Sequence, residues 1–178
     1  MLKFMKTIDV AVADRSSLER SVAAWEKLLG FKAIHMKPEY SPPGGVDAYH
    51  VPMPTGTYAC HAIGVFMPTG DNGDNPVGGR ILKEFIRDHG EAAFLLSFMV
   101  DDTHEAQRWL EAKGFTFFYR EPLRYAAGTH NFMWPTPELQ GIWVHICRHD
   151  EGGLARWREG REQEGKFADV EMGLPESH

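Results

Sequence analysis

The chain contains two copies of one sequence pattern, and this repetition restricts the fold more than any other feature does. Each copy has a strand with alternating apolar residues and then a helix that ends in a similar way, with WEKLLGF at residues 25–31 and WLEAKGF at residues 109–115. A glycine stops each helix, and shorter strand-like runs follow it. A repeat of about 85 to 90 residues predicts two units of the form βαβββ.

Both copies begin with a strand whose two faces differ. In KTIDVAVAD, residues 6–14, the period-two alternation puts Thr7 and Asp9 on one face. In AAFLLSFMVDD, residues 92–102, the same rule puts Leu95 and Ser97 together. Further strands of the second copy are expected at residues 115–119, 130–134 and 141–147.

The pattern divides the chain into four parts. We expect a first βαβββ module at residues 1–70, a linker with a short helix at residues 71–90, a second module at residues 91–149 and a charged C-terminal extension at residues 150–178. The extension is poor in apolar residues, which is typical of a segment that adds little to the core.

Composition excludes several classes of function. A formal net charge of −6 argues against nucleic-acid binding, because phosphates require a basic face. No apolar run approaches the roughly 18 to 20 residues of a membrane span, so we expect no membrane partner. The start of the chain has no leader pattern, and Cys60 and Cys147 lie in strand-like runs as expected for buried thiols. We therefore expect a cytoplasmic protein.

The middle of the chain carries a resemblance to a known family. NPVGGRILKEFIRDHGE at residues 75–91, followed by FMVDD at residues 98–102, resembles the linker, strand and helix of the vicinal oxygen chelate superfamily, which includes the glyoxalases, bleomycin resistance proteins and dioxygenases. The pattern is most similar to methylmalonyl-CoA epimerases and 4-hydroxyphenylpyruvate dioxygenases. The resemblance implies an α+β fold in which tandem βαβββ repeats form a cup-shaped mixed sheet, the glyoxalase-like fold.

In that superfamily a divalent metal usually lies in the cup, held by His, Gln or Glu side chains. The resemblance matches the four ligand positions to Thr7, Gly64, Leu95 and His145. Glycine and leucine offer no donor atom, so we expect the usual metal site to be absent and no cofactor to be required. A metal site of another kind remains an alternative, built from His50, His130 and His145.

Two residues are candidates for catalysis. His145 is in the middle of the strand GIWVHICRH, residues 141–149, and an imidazole there can act as acid or base near neutral pH. Asp9 is a carboxylate in the middle of a strand, where burial would raise its pKa. Within the glyoxalase-like fold both would lie on the cup face, and together they could move a proton between two substrate atoms.

Other residues are candidates for substrate contact, because the fold would place them on or beside the cup. The aromatic members favour an apolar or aromatic ligand, and the arginine favours a carboxylate or phosphate group. These candidates are Thr7, Trp143, Trp134, Phe66, Leu95, Ser97, His130 and Arg124.

The leading functional hypothesis is a metal-independent isomerase or lyase that transfers a proton on a small organic acid, a thioester or an aromatic ketone. One alternative is a non-catalytic protein that binds an aromatic small molecule, as bleomycin resistance proteins do. Another is a metal-dependent dioxygenase or epimerase with atypical ligands. A small molecule is the expected partner in each case. The resemblance also implies that the chain can pair with a second copy as a homodimer.

Overall fold

The computed structural model describes residues 2–36, 44–53, 61–72, 75–125 and 128–150. The predictions about Cys60, about the strand around it and about the C-terminal extension from residue 151 onward lie outside the described residues. Among those described, no helix is both long enough and apolar enough to cross a membrane.

Strands and helices follow one another in the order that two βαβββ units require. The first half contains β1 (Leu2–Ala11), α1 (Arg15–Leu29), β2 (Ile34–His35), β3 (Val46–Pro52) and β4 (Ala62–Pro68). After α2 (Gly79–His89), the second half contains β5 (Ala92–Val100), α3 (Thr103–Glu111), β6 (Leu123–Tyr125), β7 (Gly128–Met133) and β8 (Trp143–His149).

The two copies start their long helices with the same device. Asp14 accepts a hydrogen bond from the Ser17 backbone N–H at 2.8 Å, and Asp102 accepts one from the Glu105 N–H at 2.9 Å. Each carboxylate satisfies a backbone donor that the first turn of a helix leaves without a partner. At the other end of α1, Gly30 has a φ of 78°, a left-handed conformation that glycine adopts without strain.

The strands form one eight-stranded mixed sheet in the order β2-β3-β4-β1-β5-β8-β7-β6. Within the first half β1 is parallel to β4, and within the second half β5 is parallel to β8. The halves meet where β1 runs antiparallel to β5. This arrangement confirms the predicted α+β class and the glyoxalase-like architecture.

The two faces of the sheet are covered differently. On the outer face, Leu18 of α1 packs in a cluster with Val65, and Leu110 of α3 packs in a cluster with Ile146. The inner face is the one opposite α1 and α3, and its apolar end packs against α2 through Leu82. Because side chains alternate along a strand, residues next to those of the outer clusters face inward.

Two local predictions were wrong. Residues 115–119 form no strand; they contribute one bridge, between Phe117 and Met133, and the short β6 comes later in the chain. The helical spacing of Ala106, Trp109 and Leu110 in the sequence predicts that Trp109 lies on the apolar side of α3, yet the residue is 45% exposed. The Nζ atom of Lys113 lies 4.4 Å from the centre of the Trp109 ring. The indole therefore packs against this cation and not against the core.

Candidate active site

The inner face of the sheet carries the candidate site, and we call it the cup face. The strand register brings onto it residues from five neighbouring strands. The central ones are Thr7 and Asp9 of β1, Gly64 of β4, Leu95 and Ser97 of β5, His145 of β8 and His130 of β7. The register therefore puts Asp9 and His145, the two predicted catalytic residues, on the same face.

One end of the cup face is apolar and lies under α2. Phe66 and Leu95, both predicted to contact substrate, are buried there in one cluster with Phe85 of α2. The rings of Phe66 and Phe94 meet edge to face at 5.6 Å. The polar residues lie toward the other end, and this separation divides the surface into an apolar and a polar half.

Asp9 lies at the boundary between the two halves. Its carboxylate occupies the space above Gly64, where a Cβ atom would come within 2.3 Å of Oδ1. The residue is only 4% exposed, and Oδ1 has no hydrogen-bond partner among the described residues. Burial raises the pKa of Asp9 from 3.8 to about 7, while a hydrogen bond with Thr7 and the charge of Lys6 act in the opposite direction.

Lys6 was not recognised from the sequence, because simple alternation assigns it to the face opposite Asp9. A register shift between Met5 and Thr7 places an extra residue in β1, which is a β-bulge. Lys6 is 9% exposed, and its side chain makes no ion pair or hydrogen bond with the described residues. Its charge lowers the pKa of both Asp9 and His145, so the ammonium group influences both of the predicted catalytic residues.

His145 is part of a buried hydrogen-bonded row. Its Nδ1 lies 3.0 Å from the Ser97 hydroxyl, and its Nε2 lies 3.0 Å from Nδ1 of His130. The Phe132 ring stacks on the imidazole with 4.6 Å between ring centroids. Burial holds the pKa of His145 well below its usual value, and His130 and Lys6 lower it further, so the ring is neutral.

Thr7 connects Asp9 to this row. It hydrogen-bonds Asp9 and lies opposite Ser97 where β1 and β5 pair. Asp9 and His145 are two strands apart and two residues apart along the strands, which corresponds to about 12 Å between their Cα atoms. A small substrate bound between them would meet the carboxylate on one side and the hydroxyl–imidazole row on the other.

The remaining predicted contact residues fall into different places. Trp143 is buried, and its ring centroid is 5.0 Å from that of Trp134, which is 42% exposed at the end of the cup. Arg124 pairs with Thr129, whose hydroxyl contacts α3, so the register places it on the outer face. Its guanidinium makes two hydrogen bonds to Asp150. The structure thus separates Arg124 from the cup-face residues.

The side chains at the family's metal positions do not fit the usual metal. Gly64 has no side chain, and the carboxylate of Asp9 fills the space in front of it. Leu95 is buried in the apolar cluster and carries no donor atom. Of the alternative set, His130 and His145 lie together, whereas His50 pairs with Gly64 on the opposite side of Asp9.

The two βαβββ units and the single mixed sheet that they form define a protein of the glyoxalase-like fold. The profile described as the Glyoxalase/Bleomycin resistance protein/Dioxygenase superfamily matches residues 8–133. The chain therefore belongs to this superfamily, as the sequence predicted. No curated protein matches the sequence.

Solved structures share the fold at low sequence identity. Methylmalonyl-CoA epimerase from Mycobacterium tuberculosis superposes with a TM-score of 0.64 at 19% identity, over 86% of this chain and 93% of that one. The epimerase from Streptomyces coelicolor, in complex with 2-nitronate-propionyl-CoA, gives 0.61 at 19% identity, over 85% and 100%. A hypothetical protein from Bacillus halodurans gives 0.62 at 17% identity, over 83% and 95%.

Proposed function

We propose that the protein is an isomerase that moves a proton at the carbon next to a carbonyl group, with Asp9 as the base. The observation that carries this proposal is the buried Oδ1 of Asp9, which faces the cup without a partner. A buried carboxylate oxygen without a hydrogen-bond partner is costly to a folded protein, and such costs are concentrated at functional sites. A base whose pKa is about 7 is also well matched to catalysis near neutral pH.

The first step of the proposed reaction takes a proton from the substrate. The carboxylate of Asp9 accepts the proton from carbon, and the electron pair of the broken C–H bond moves into the carbonyl group. The resulting enolate oxygen is negative and needs a nearby positive charge. Lys6 supplies that charge in the proposal, because its ammonium group is buried beside Asp9 and has no anionic partner among the described residues.

The second step returns a proton to the carbon from the other side. Ser97 donates its hydroxyl proton and recovers one from Nδ1 of His145, whose Nε2 takes the Nδ1 proton of His130. His130 takes a proton from solvent at its Nε2, and Asp9 releases the abstracted proton to solvent, so each group returns to its starting charge. His145 changes tautomer and stays neutral, which agrees with its lowered pKa. Because base and donor lie on different strands, the carbon can return with inverted configuration.

The similar structures suggest which substrates to try first. Several solved neighbours are methylmalonyl-CoA epimerases, and four of them are complexes with 2-nitronate-propionyl-CoA. We therefore propose an acyl thioester or a related small acid as the substrate class. Assembly into a homodimer and a cytoplasmic location remain predictions from the sequence.

Hydrogen exchange tests the proposal. The purified protein is incubated with methylmalonyl-CoA and with two other 2-substituted acyl thioesters in D2O, and deuterium at the α-carbon is followed by NMR. We expect enzyme-dependent incorporation that Asp9→Asn lowers at least about 100-fold. Asp71→Asn is the matched control, since that carboxylate is exposed and pairs with Lys83. Incorporation that is equal in both variants would refute Asp9 as the base.

A second candidate function is favoured by the aromatic group at the end of the cup. Trp134 packs against Phe118 and Trp143 with centroid distances of 5.0 Å each, and it is partly exposed. Such a surface can stack on a flat aromatic ligand without transforming it. Quenching of tryptophan fluorescence by aromatic compounds, lost in Trp134→Ala, together with an absence of hydrogen exchange, would favour this binding function over the isomerase.

A further inference from the structure

The strand β8 carries a row of metal-ligand side chains that the proposed reaction uses only in part. His145, Cys147 and His149 are at alternate positions, so all three point to the cup face. His130 of β7 lies directly opposite Cys147 in the register. Imidazole and thiol groups thus converge from two neighbouring strands.

The donor atoms of this group are close together. One ligand atom from each of His130, His145 and Cys147 lies within 4.8 Å of the other two, and all three residues are buried. The Cys147 sulfur is 3.5 Å from the Met99 thioether, which adds a second sulfur at the edge of the group. We call His130, His145 and Cys147 the soft-ligand cluster.

We propose that the soft-ligand cluster binds one thiophilic metal ion, Zn²⁺ or Cu⁺, with Met99 as a weak fourth ligand. Thiolate, thioether and imidazole are the ligands that these ions prefer. A tetrahedral site requires about 3.4 Å between two imidazole nitrogens. The nitrogens of His130 and His145 are 3.0 Å apart, so a small rotation of the side chains admits the ion.

The proton balance of binding is simple. Cys147 loses its thiol proton to solvent and binds as the thiolate. The proton on Nδ1 of His130 moves to its Nε2, which frees Nδ1 as a ligand, and Nε2 of His145 presents its lone pair. The Nδ1–H of His145 then donates to the Ser97 hydroxyl, an outer contact of the kind that orients a metal-bound imidazole.

This site differs from the usual metal position of the superfamily, with which it shares His145 alone. Metal binding goes beyond the proposed function and does not depend on it. If both are correct, an ion on Nε2 of His145 removes the imidazole from the proton row, so Zn²⁺ inhibits the exchange reaction. Binding and inhibition are therefore measured separately.

The test uses the purified full chain after treatment with a chelator. Co²⁺ serves as a spectroscopic probe for the Zn²⁺ site, and Zn²⁺ and Cu⁺ are titrated against colorimetric chelators to distinguish the two ions. We expect one equivalent of metal and a thiolate-to-Co²⁺ charge-transfer band. Cys147→Ser should abolish the band, and His130→Gln should weaken binding more than about tenfold.

Two control variants make the result specific. Cys60→Ser removes the chain's other cysteine and should keep the band, and His104→Gln changes a histidine that is 48% exposed on α3 and should bind metal normally. Circular dichroism establishes that each variant is folded. The absence of a thiolate band in the wild-type protein, or a band that depends on Cys60, would overturn the proposal even if hydrogen exchange by Asp9 were demonstrated.

Discussion

The carboxylate of Asp9 fills the space that a side chain at Gly64 would need, with Oδ1 2.3 Å from the position of an added Cβ. The two residues are partners in the parallel pairing of β1 with β4. Glycine at this position therefore allows Asp9 to stay on the cup face inside the sheet. The position of the Asp9 carboxylate, the proposed proton acceptor, therefore depends on the absence of a side chain at Gly64.

Gly64→Ala is expected to destabilise the protein by about 1–3 kcal/mol, because the new methyl group collides with a buried carboxylate. In an Asp9→Ala background the same substitution should cost less, since the obstructing group is gone. A double-mutant cycle of thermal or urea unfolding measures the difference. An equal cost in both backgrounds would show that Asp9 does not occupy this space.

Asp9→Asn is expected to stabilise the protein above neutral pH while it removes activity. The folded pKa of about 7 lies above the unfolded value of 3.8, so the stability that Asp9 contributes is full below the unfolded value and is lost as pH rises to about 7. At pH 8 the variant should be more stable than the wild type by up to about 4 kcal/mol. At pH 4 the two proteins should unfold alike. A destabilised variant at pH 8 would contradict the burial of an unpaired charge.

The rate of proton exchange should rise with pH around a midpoint of about 7, because only the ionised Asp9 accepts a proton. Lys6→Met should move this midpoint to higher pH, since the ammonium group lowers the pKa of Asp9. It should also reduce kcat by about 100-fold through loss of enolate stabilisation. Lys6→Arg keeps the charge and should retain the wild-type midpoint. A pH profile unchanged in Lys6→Met would exclude this role for Lys6.

Ser97→Ala should separate the two halves of the reaction. Proton removal by Asp9 persists, so deuterium still enters the α-carbon. Inversion should fall by about 100-fold, because the hydroxyl no longer carries a proton from His145. The comparison requires a chiral substrate, with deuterium content measured by NMR and configuration by chiral chromatography. Ser97→Thr keeps a hydroxyl and should recover inversion; equal losses of exchange and inversion would contradict the relay.

The sequence predicted the fold because both copies carry strong local signals. The two helices end in the similar sequences WEKLLGF and WLEAKGF, and Gly30 ends the first of them. Period-two alternation in β1 and β8, combined with the fold that the family resemblance implies, assigned Asp9 and His145 to one face, and the strand register agrees. Alternation and helix ends depend on neighbouring residues alone, so they can be recognised without coordinates.

Features that depend on other strands could not be predicted in this way. The bulge at Lys6 changes its face through pairing with β5, which no local pattern encodes. The contact of Asp9 with Gly64 and the hydrogen bond between His130 and His145 need the register of neighbouring strands. Arg124 was expected beside the cup, but the pairing of β6 with β7 places it on the outer face.

The proton affinity of Asp9 tests the central claim most directly. Carboxyl carbons labelled with ¹³C are followed by NMR as a function of pH, and the Asp9 signal is assigned by its absence in Asp9→Asn. We expect this carboxyl group to titrate with a pKa of about 7. A titration of Asp9 near 3.8 would contradict a buried carboxylate held ready on the cup face.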